Sequence, residues 1–84
     1  MIKTKITIIK NSGLHARPAA ELVKLATSFE SEIEIEGNDD VADAKSIMGI
    51  MGLALVKGSE ITLSVSGNDE KAAMESLKNF LSSP

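Results

Sequence analysis

Alternating apolar and polar residues predict four β-strands. In a strand that buries one face, every second side chain points inward, and this period occurs in residues 2–8, 32–36 and 60–66. A shorter strand, from Val41 to Ala44, is predicted after a turn at residues 37–40. The break Asn11-Ser12-Gly13 ends the first strand.

Three other segments are predicted to be helical. The first extends from Ala16 to about Phe29, and its apolar stripe is Ala16, Ala19, Ala20, Val23 and Ala26. Pro18 is compatible with this helix, because a residue in the first turn has no intrahelical partner for an N–H. The last helix opens at Asp69-Glu70, where negative charge is favoured, and its stripe is Ala73, Met74, Leu77, Phe80 and Leu81. Between them lies a short apolar helix, Ile47 to Leu53. It contains Gly49 and Gly52, so packing or function must hold it.

The resulting order of elements, β-α-β-β-α-β-α, predicts an α+β fold. Each strand has one apolar face, so we expect an open-faced sandwich, a four-stranded antiparallel sheet covered on one face by three helices. The 84 residues suffice for a single domain, which we expect to span residues 1–84. A domain of this size is too small to enclose a deep substrate pocket.

The composition argues against several classes of function. The chain contains no cysteine, which excludes disulfides and thiolate metal sites. The net charge of −3 and the presence of only two aromatic residues, Phe29 and Phe80, argue against a nucleic-acid partner. No segment has the pattern of a signal peptide or a membrane span, so we expect a cytoplasmic protein without membrane insertion.

The candidate chemistry lies at the single histidine. His15 precedes Ala16-Arg17-Pro18, at the point where the first helix is predicted to begin. The first backbone N–H groups of a helix have no internal partners and attract anions, and Arg17 can donate charge-assisted hydrogen bonds to a phosphate. This combination favours a covalent phosphohistidine over a metal site, which would need further ligands. The alternative is an ordinary surface or capping histidine beside a solvated arginine.

Two further features surround the short helix. Ser46 precedes it, where serine is ordinarily an N-cap and where a phosphate would also be stabilised, so capping and regulatory phosphorylation are compatible roles. The helix residues are all apolar or glycine and cannot all face inward. Met48 and Met51 are therefore expected to be partly exposed and to suit docking of several partners, with core filling as the alternative. The glutamates of residues 30–36 are interpreted as a solvated strand face.

Residues 13–19, GLHARPA, together with residues 44–49, AKSIMG, resemble the HPr family of small phosphocarrier proteins. This family belongs to the bacterial phosphoenolpyruvate:sugar phosphotransferase system, and the resemblance covers essentially the whole chain. It implies a carrier rather than an enzyme, with no cofactor or metal. His15 would accept a phosphoryl group on Nδ1 from phosphorylated enzyme I and pass it to a histidine of an enzyme IIA component for sugar uptake. Arg17 and the backbone N–H groups of Ala16 and Arg17 would stabilise the phosphoryl group.

The resemblance also implies regulation. Ser46 followed by Ile47-Met48-Gly49 is similar to the Gram-positive type, in which an ATP-dependent HPr kinase/phosphorylase modifies the serine in carbon catabolite repression. The modified form would transfer phosphate more slowly and bind a catabolite-control transcription factor. Ile47, Met48 and Met51, here called the docking patch, would contact the shared partners.

The chain departs from the family pattern at two positions and leaves other functions open. Members usually carry a small polar residue at position 52 and glycine at 54, where this chain has Gly52 and Ala54. Alanine does not adopt the left-handed conformation cheaply, so we expect the short helix to end elsewhere, nearer Gly58. The alternatives are a ferredoxin-like ligand-binding domain, an RNA-binding domain of similar topology, and a regulatory or nitrogen-branch member of the same family. A member that lacks the histidine would be purely regulatory, and His15 removes that option here.

Overall fold

The computed structural model describes residues 1–11 and 13–84, and Ser12, assigned above to the break after the first strand, lies outside the described residues. The elements are β1 Ile2–Thr7, α1 Ala16–Thr27, β2 Glu32–Gly37, β3 Asp40–Asp43, α2 Ile47–Gly52, β4 Glu60–Ser66 and α3 Glu70–Leu81. Their order confirms the predicted β-α-β-β-α-β-α arrangement.

The strands form one antiparallel sheet in the order β1-β4-β2-β3. In β2 the side chains of Ile33 and Ile35 are buried, whereas Glu32, Glu34 and Glu36 are exposed, as their alternation predicts. All three helices cover the apolar face: α3 packs on β1 and β4, α2 packs on β3, and α1 contacts both other helices. The open-faced sandwich predicted from the sequence is therefore confirmed.

Helix α1 differs from the prediction in its end and in its buried stripe. It ends at Thr27 rather than near Phe29, and the hydroxyls of Thr27 and Ser28 donate hydrogen bonds to carbonyls of its last turns. The residues that it buries are Ala19, Leu22 and Ala26. The predicted stripe was wrong for Ala16 and Ala20, which are exposed, and it missed Leu22. An alanine tolerates water at little cost, so its apolar character identifies a buried face less reliably than leucine does.

Helix α2 ends at Gly52, and the expectation that it would end nearer Gly58 is wrong. Ala54 adopts the left-handed conformation, with φ of +52°, despite its Cβ. The residues on either side of it, Leu53 and Leu55, are both 3% exposed. We attribute the conformation of Ala54 to their burial, which fixes the path of the chain on both sides of this position.

Packing holds α2 in spite of its glycines. A Cβ at Gly49 would lie 3.3 Å from Ala42 Cβ and 3.3 Å from Ser46 Oγ, so the missing side chain lets the helix approach β3 closely. A Cβ at Gly52 would meet nothing within 4 Å. The packing explanation predicted from the sequence therefore applies to Gly49 and not to Gly52.

Replacing Ala54 by glycine is expected to stabilise the protein. A left-handed conformation costs a non-glycine residue about 1–2 kcal/mol, part of which glycine loses again through its larger entropy in the unfolded chain. We expect Ala54→Gly to raise the free energy of unfolding by about 1 kcal/mol, measured by urea denaturation. The matched control is Ala72→Gly, the same change at an exposed position inside α3, which should lower stability by a similar amount. Destabilisation by both changes would contradict the strain at Ala54.

Asp69 occupies the N-cap position of α3, but its side chain does not cap that helix. Its carboxylate instead accepts hydrogen bonds from the backbone N–H groups of Glu30 and Ser31, at 2.9 and 3.0 Å, and from the Ser31 hydroxyl. The Ser31 hydroxyl and then the Glu30 N–H lower the pKa of Asp69 from its ordinary value. The carboxylate thus ties the connection between α1 and β2 to the start of α3.

The Asp69 contacts predict a stability that is lost in acid. Because the pKa of Asp69 is lowered on folding, its contribution is present at neutral pH and disappears as the pH falls below about 4 and through the folded pKa. We expect Asp69→Ala to lower the melting temperature at pH 7 by roughly 10 °C. The difference from the unmodified protein should shrink at pH 3, whereas Glu75→Ala, at an exposed carboxylate of α3, should change little at either pH. An Asp69→Ala effect of equal size at both pH values would contradict this origin.

Candidate functional site

His15 is exposed and lies at the N-cap position of α1, as its sequence position predicts. Its backbone is extended, with φ of −85° and ψ of −165°, and its carbonyl accepts the first helical hydrogen bond from Ala19 N–H at 2.9 Å. Its side chain makes no capping hydrogen bond. The capping role left open by the sequence is therefore not the role of this imidazole, which is accessible to a partner.

The backbone next to His15 presents two amide donors. Ala16 and Arg17 are the first two helical residues, where an N–H has no intrahelical partner, and Pro18 at the third has no N–H. The donors directly follow His15 in the chain and lie at the positive end of the helix dipole. Negative charge added to the His15 ring would be stabilised by this end of α1.

Arg17 is directed along the helix in this structure. Its Nε lies 3.7 Å from Glu21 Oε1, and the Arg17 side chain is 89% exposed. An exposed ion pair between residues four apart contributes only about 0.3–0.5 kcal/mol, so the guanidinium is free to change partners. The structure places Arg17 beside the site, but its observed ionic contact is with Glu21.

An open depression of about 250 Å³ adjoins His15. Its lining residues are Leu14, His15, Met51, Ala54, Leu55 and Val56. The Leu14 N–H donates to the Leu55 carbonyl at 3.0 Å, which joins the segment before His15 to the loop after α2. The structure thus brings His15 and Met51 to one surface, although they lie far apart in the sequence.

The docking patch is exposed on α2. Met48 is 79% exposed, Met51 43% and Ile47 39%, which confirms the predicted exposure of the two methionines. The alternative for the methionines was core filling. The residues of this segment that fill the core are instead Ile50 and Leu53, the residue that follows α2.

Ser46 is the N-cap of α2. Its Oγ accepts a hydrogen bond from Gly49 N–H at 3.1 Å, and the residue is half-buried. Met51 lies five positions after Ser46, which corresponds to about 8 Å along a helix axis. Ser46 therefore lies at the far end of α2 from the depression beside His15.

Several residues of this surface were missed by the sequence reasoning. Val56 is 61% exposed and lines the depression, yet nothing in its sequence context distinguishes it from a core valine. Asn38 donates hydrogen bonds from Nδ2 to the carbonyls of Leu53 and Ala54, at 2.8 and 3.3 Å. An asparagine in a predicted turn gives no signal of such a distant partner.

Other surfaces contain less of the predicted chemistry. A larger groove of about 540 Å³ lies along β2 and β3 and is lined in part by Glu32, Glu34 and Asp43, but it includes none of the predicted site residues. Within residues 1–11 and 13–84, no three His, Cys, Asp or Glu side chains are grouped so that they could hold a metal ion. No helix in the same residues is long and apolar enough to cross a membrane.

Comparison with known proteins gives consistent matches over nearly the whole chain. A family model described as PTS-HPr, PTS HPr component phosphorylation site, matches residues 2–83. The phosphocarrier protein HPr of Lysinibacillus sphaericus is 49% identical over 77 residues, which are 92% of this chain and 88% of that protein. The HPr-like protein Crh of Halalkalibacterium halodurans is 48% identical over 81 residues, 96% of each chain. The crystal structure of HPr from Bacillus anthracis matches with a TM-score of 0.92 and 40% identity over 95% of each chain.

Proposed function

Because this chain belongs to the PTS HPr family of phosphocarrier proteins, we propose that His15 is the residue on which it carries the phosphoryl group. The donor is phosphorylated enzyme I, and the acceptor is a histidine of an enzyme IIA component. The observation that carries the proposal is the exposed imidazole of His15 at the start of α1, which makes no capping hydrogen bond to that helix. As a member of this family the protein is a carrier and not an enzyme.

The transfer exchanges one phosphorus–nitrogen bond for another. The neutral imidazole of His15 attacks the phosphoryl group of enzyme I through Nδ1, and the bond from phosphorus to the donor histidine breaks as the new bond forms. The second transfer, to enzyme IIA, is the same step with His15 as the leaving group. Because bond types match on both sides, a site that stabilises the transferred oxygens serves both directions.

The oxygens of the phosphoryl group are stabilised from two directions. The backbone N–H groups of Ala16 and Arg17 directly follow His15 at the start of α1, and the Arg17 guanidinium can leave Glu21 to form charge-assisted hydrogen bonds. The pair with Glu21 is exposed, so breaking it costs little. Arg17 then contributes mainly when the phosphoryl group is present.

Phosphorylation by enzyme I tests the proposal. The protein is mixed with phosphoenolpyruvate and enzyme I, and its intact mass is read before and after mild acid. We expect a gain of one acid-labile phosphoryl group, which disappears when an enzyme IIA acceptor is added. If enzyme I modifies another carrier in the same mixture but adds nothing to this protein, the proposed function is wrong.

We also propose that Ser46 is a regulatory phosphorylation site. Its hydroxyl lies at the start of α2, where added negative charge is tolerated, and the residue remains half-buried rather than enclosed. The kinase would be HPr kinase/phosphorylase, and the modified form would bind a catabolite-control transcription factor. The similarity to an HPr-like protein Crh, at nearly the same identity as to HPr, supports this second role, because the solved structure of Crh from Bacillus subtilis is described as catabolite repression HPr.

Replacing Ser46 by aspartate is expected to weaken enzyme I binding without unfolding the protein. The charge lies about one Debye length or less from the docking patch, where it disfavours burial of Met51 against a partner. We expect binding of enzyme I to weaken about tenfold in calorimetric titration, with an unchanged or raised melting temperature.

Ser46→Ala is the matched control for this prediction. It removes the oxygen that accepts from Gly49 N–H, so it should lower the free energy of unfolding by about 1 kcal/mol and leave enzyme I binding unchanged. A marked fall in the melting temperature of Ser46→Asp would show that the charge acts on the fold instead of on the partner surface.

A further inference from the structure

The loop between α2 and β4 contains a left-handed residue in contact with the His15 surface. Ala54 has a φ of +52°, a conformation that a side chain with a Cβ disfavours. The same residue lines the depression beside His15 together with Leu55. A residue other than glycine keeps a left-handed backbone conformation only where contacts with its surroundings hold it.

One of these contacts comes from the turn between β2 and β3. Asn38 Nδ2 donates to the Leu53 carbonyl at 2.8 Å and to the Ala54 carbonyl at 3.3 Å. Asn38 has a φ of +51°, which asparagine tolerates better than most residues, so the turn itself presents the amide to the loop. Both carbonyls lie just after the end of α2, where helices leave their last C=O groups without partners.

The other side of the loop contacts the segment that precedes His15. The Leu55 carbonyl accepts from the buried Leu14 N–H at 3.0 Å. Gly13 lies so close to this segment that a Cβ there would come within 2.7 Å of Val56 Cα. The loop is therefore held between Asn38 on one side and the residues that place His15 on the other.

We propose that Asn38 is a positioning residue for phosphoryl transfer at His15. The inference rests on the proposed function and extends it to a residue outside the predicted site. By donating to the carbonyls of Leu53 and Ala54, Asn38 holds the strained loop in place. The loop in turn fixes the Leu55 carbonyl. This carbonyl accepts the hydrogen bond from the Leu14 N–H and so helps to place Leu14 and the adjacent His15.

The role requires an amide donor at this position. Aspartate has nearly the same shape, but its carboxylate would face two carbonyl oxygens and repel them. Alanine would leave both carbonyls to water and release the loop. In either case glycine at position 54 should compensate, because it adopts the left-handed conformation without a Cβ penalty.

The test compares Asn38→Ala and Asn38→Asp with each change combined with Ala54→Gly. Asn68→Ala, at an exposed turn position, is the control for removal of an asparagine side chain. All rates are measured with enzyme I at a temperature far below each melting point. We expect each single change to lower kcat for phosphoryl transfer about tenfold with little change in KM. The Ala54→Gly combinations should recover most of this loss, and Asn68→Ala should transfer normally.

Nuclear magnetic resonance of the unphosphorylated protein provides a readout that does not depend on transfer. We expect the Asn38 variants to shift the His15 ring resonances and to speed hydrogen exchange at the Leu14 N–H, with both effects reversed by Ala54→Gly. Wild-type ring shifts and exchange in folded Asn38 variants would overturn the proposal, as would a failure of Ala54→Gly to reverse the changes. If enzyme I does not phosphorylate the unmodified protein, the proposed function fails, and these resonances still decide the role of Asn38.

Discussion

Replacing His15 by alanine is expected to abolish phosphoryl uptake from enzyme I while leaving the fold unchanged. His15 is the only histidine in the chain, so no other imidazole can accept the group. Its exposed side chain makes no capping hydrogen bond, and substitutions of this kind usually change stability by no more than about 0.5 kcal/mol. Intact mass after incubation with phosphoenolpyruvate and enzyme I measures the loss, and thermal denaturation measures the fold.

A matched control lies on the same helix. Lys24→Ala removes an exposed side chain two turns further along α1 and should be phosphorylated at the normal rate. Acid-labile phosphate on His15→Ala would place the acceptor elsewhere. A fall of several degrees in its melting temperature would show that the ring has a structural role not visible in its contacts.

Replacing Gly13 by alanine is expected to destabilise the protein by about 3 kcal/mol. Gly13 has a φ of +66°, and an added Cβ would overlap the Leu55 carbonyl oxygen and approach Val56 Cα to 2.7 Å. These neighbours are backbone atoms, which cannot rotate away as a flexible side chain can. The melting temperature should fall by roughly 15 °C, and transfer at His15 should slow because Leu14 is displaced with Gly13.

Two other glycines distinguish the cost of a left-handed backbone from the cost of the collision between the added Cβ and backbone atoms. Gly58 has a φ of +93° but open space around its missing Cβ, so Gly58→Ala should cost only the conformational part, about 1 kcal/mol. Gly52 has open space and no left-handed conformation, so Gly52→Ala should be neutral or slightly stabilising in α2. Equal losses at Gly13 and Gly58 would contradict the backbone collision.

The sequence predicted best those elements that bury one face and expose the other to water. Ile33 and Ile35 alternate with glutamates on a strand that is solvated on one face, so period and burial coincide. His15 was found in the same way, since a glycine, a helix start and a proline fix its surroundings locally. For such features, neighbours in the chain are also the neighbours that matter in space.

The features that escaped prediction depend on contacts between distant segments. Asp69 lies at the start of α3, as predicted, but its carboxylate binds Ser31, 38 residues away, which the sequence did not predict. Ala54 is left-handed against its own preference, since packing on both sides of it overrides a local penalty. No periodic pattern in the sequence indicates the contact of Asn38 with the same loop. Local propensity is a weak prior wherever a residue's main partner lies elsewhere in the chain.

The strand order β1-β4-β2-β3 has a consequence for how the protein folds during translation. β1 comes before the other strands in the chain, yet within the described residues it pairs only with β4, residues 60–66. The hairpin of β2 and β3 can form early, whereas β1 must wait for β4, and the cover over both strands waits for α3. Because closing so long a loop is slow compared with forming a hairpin, we expect β1 to join the sheet after the β2–β3 hairpin has formed.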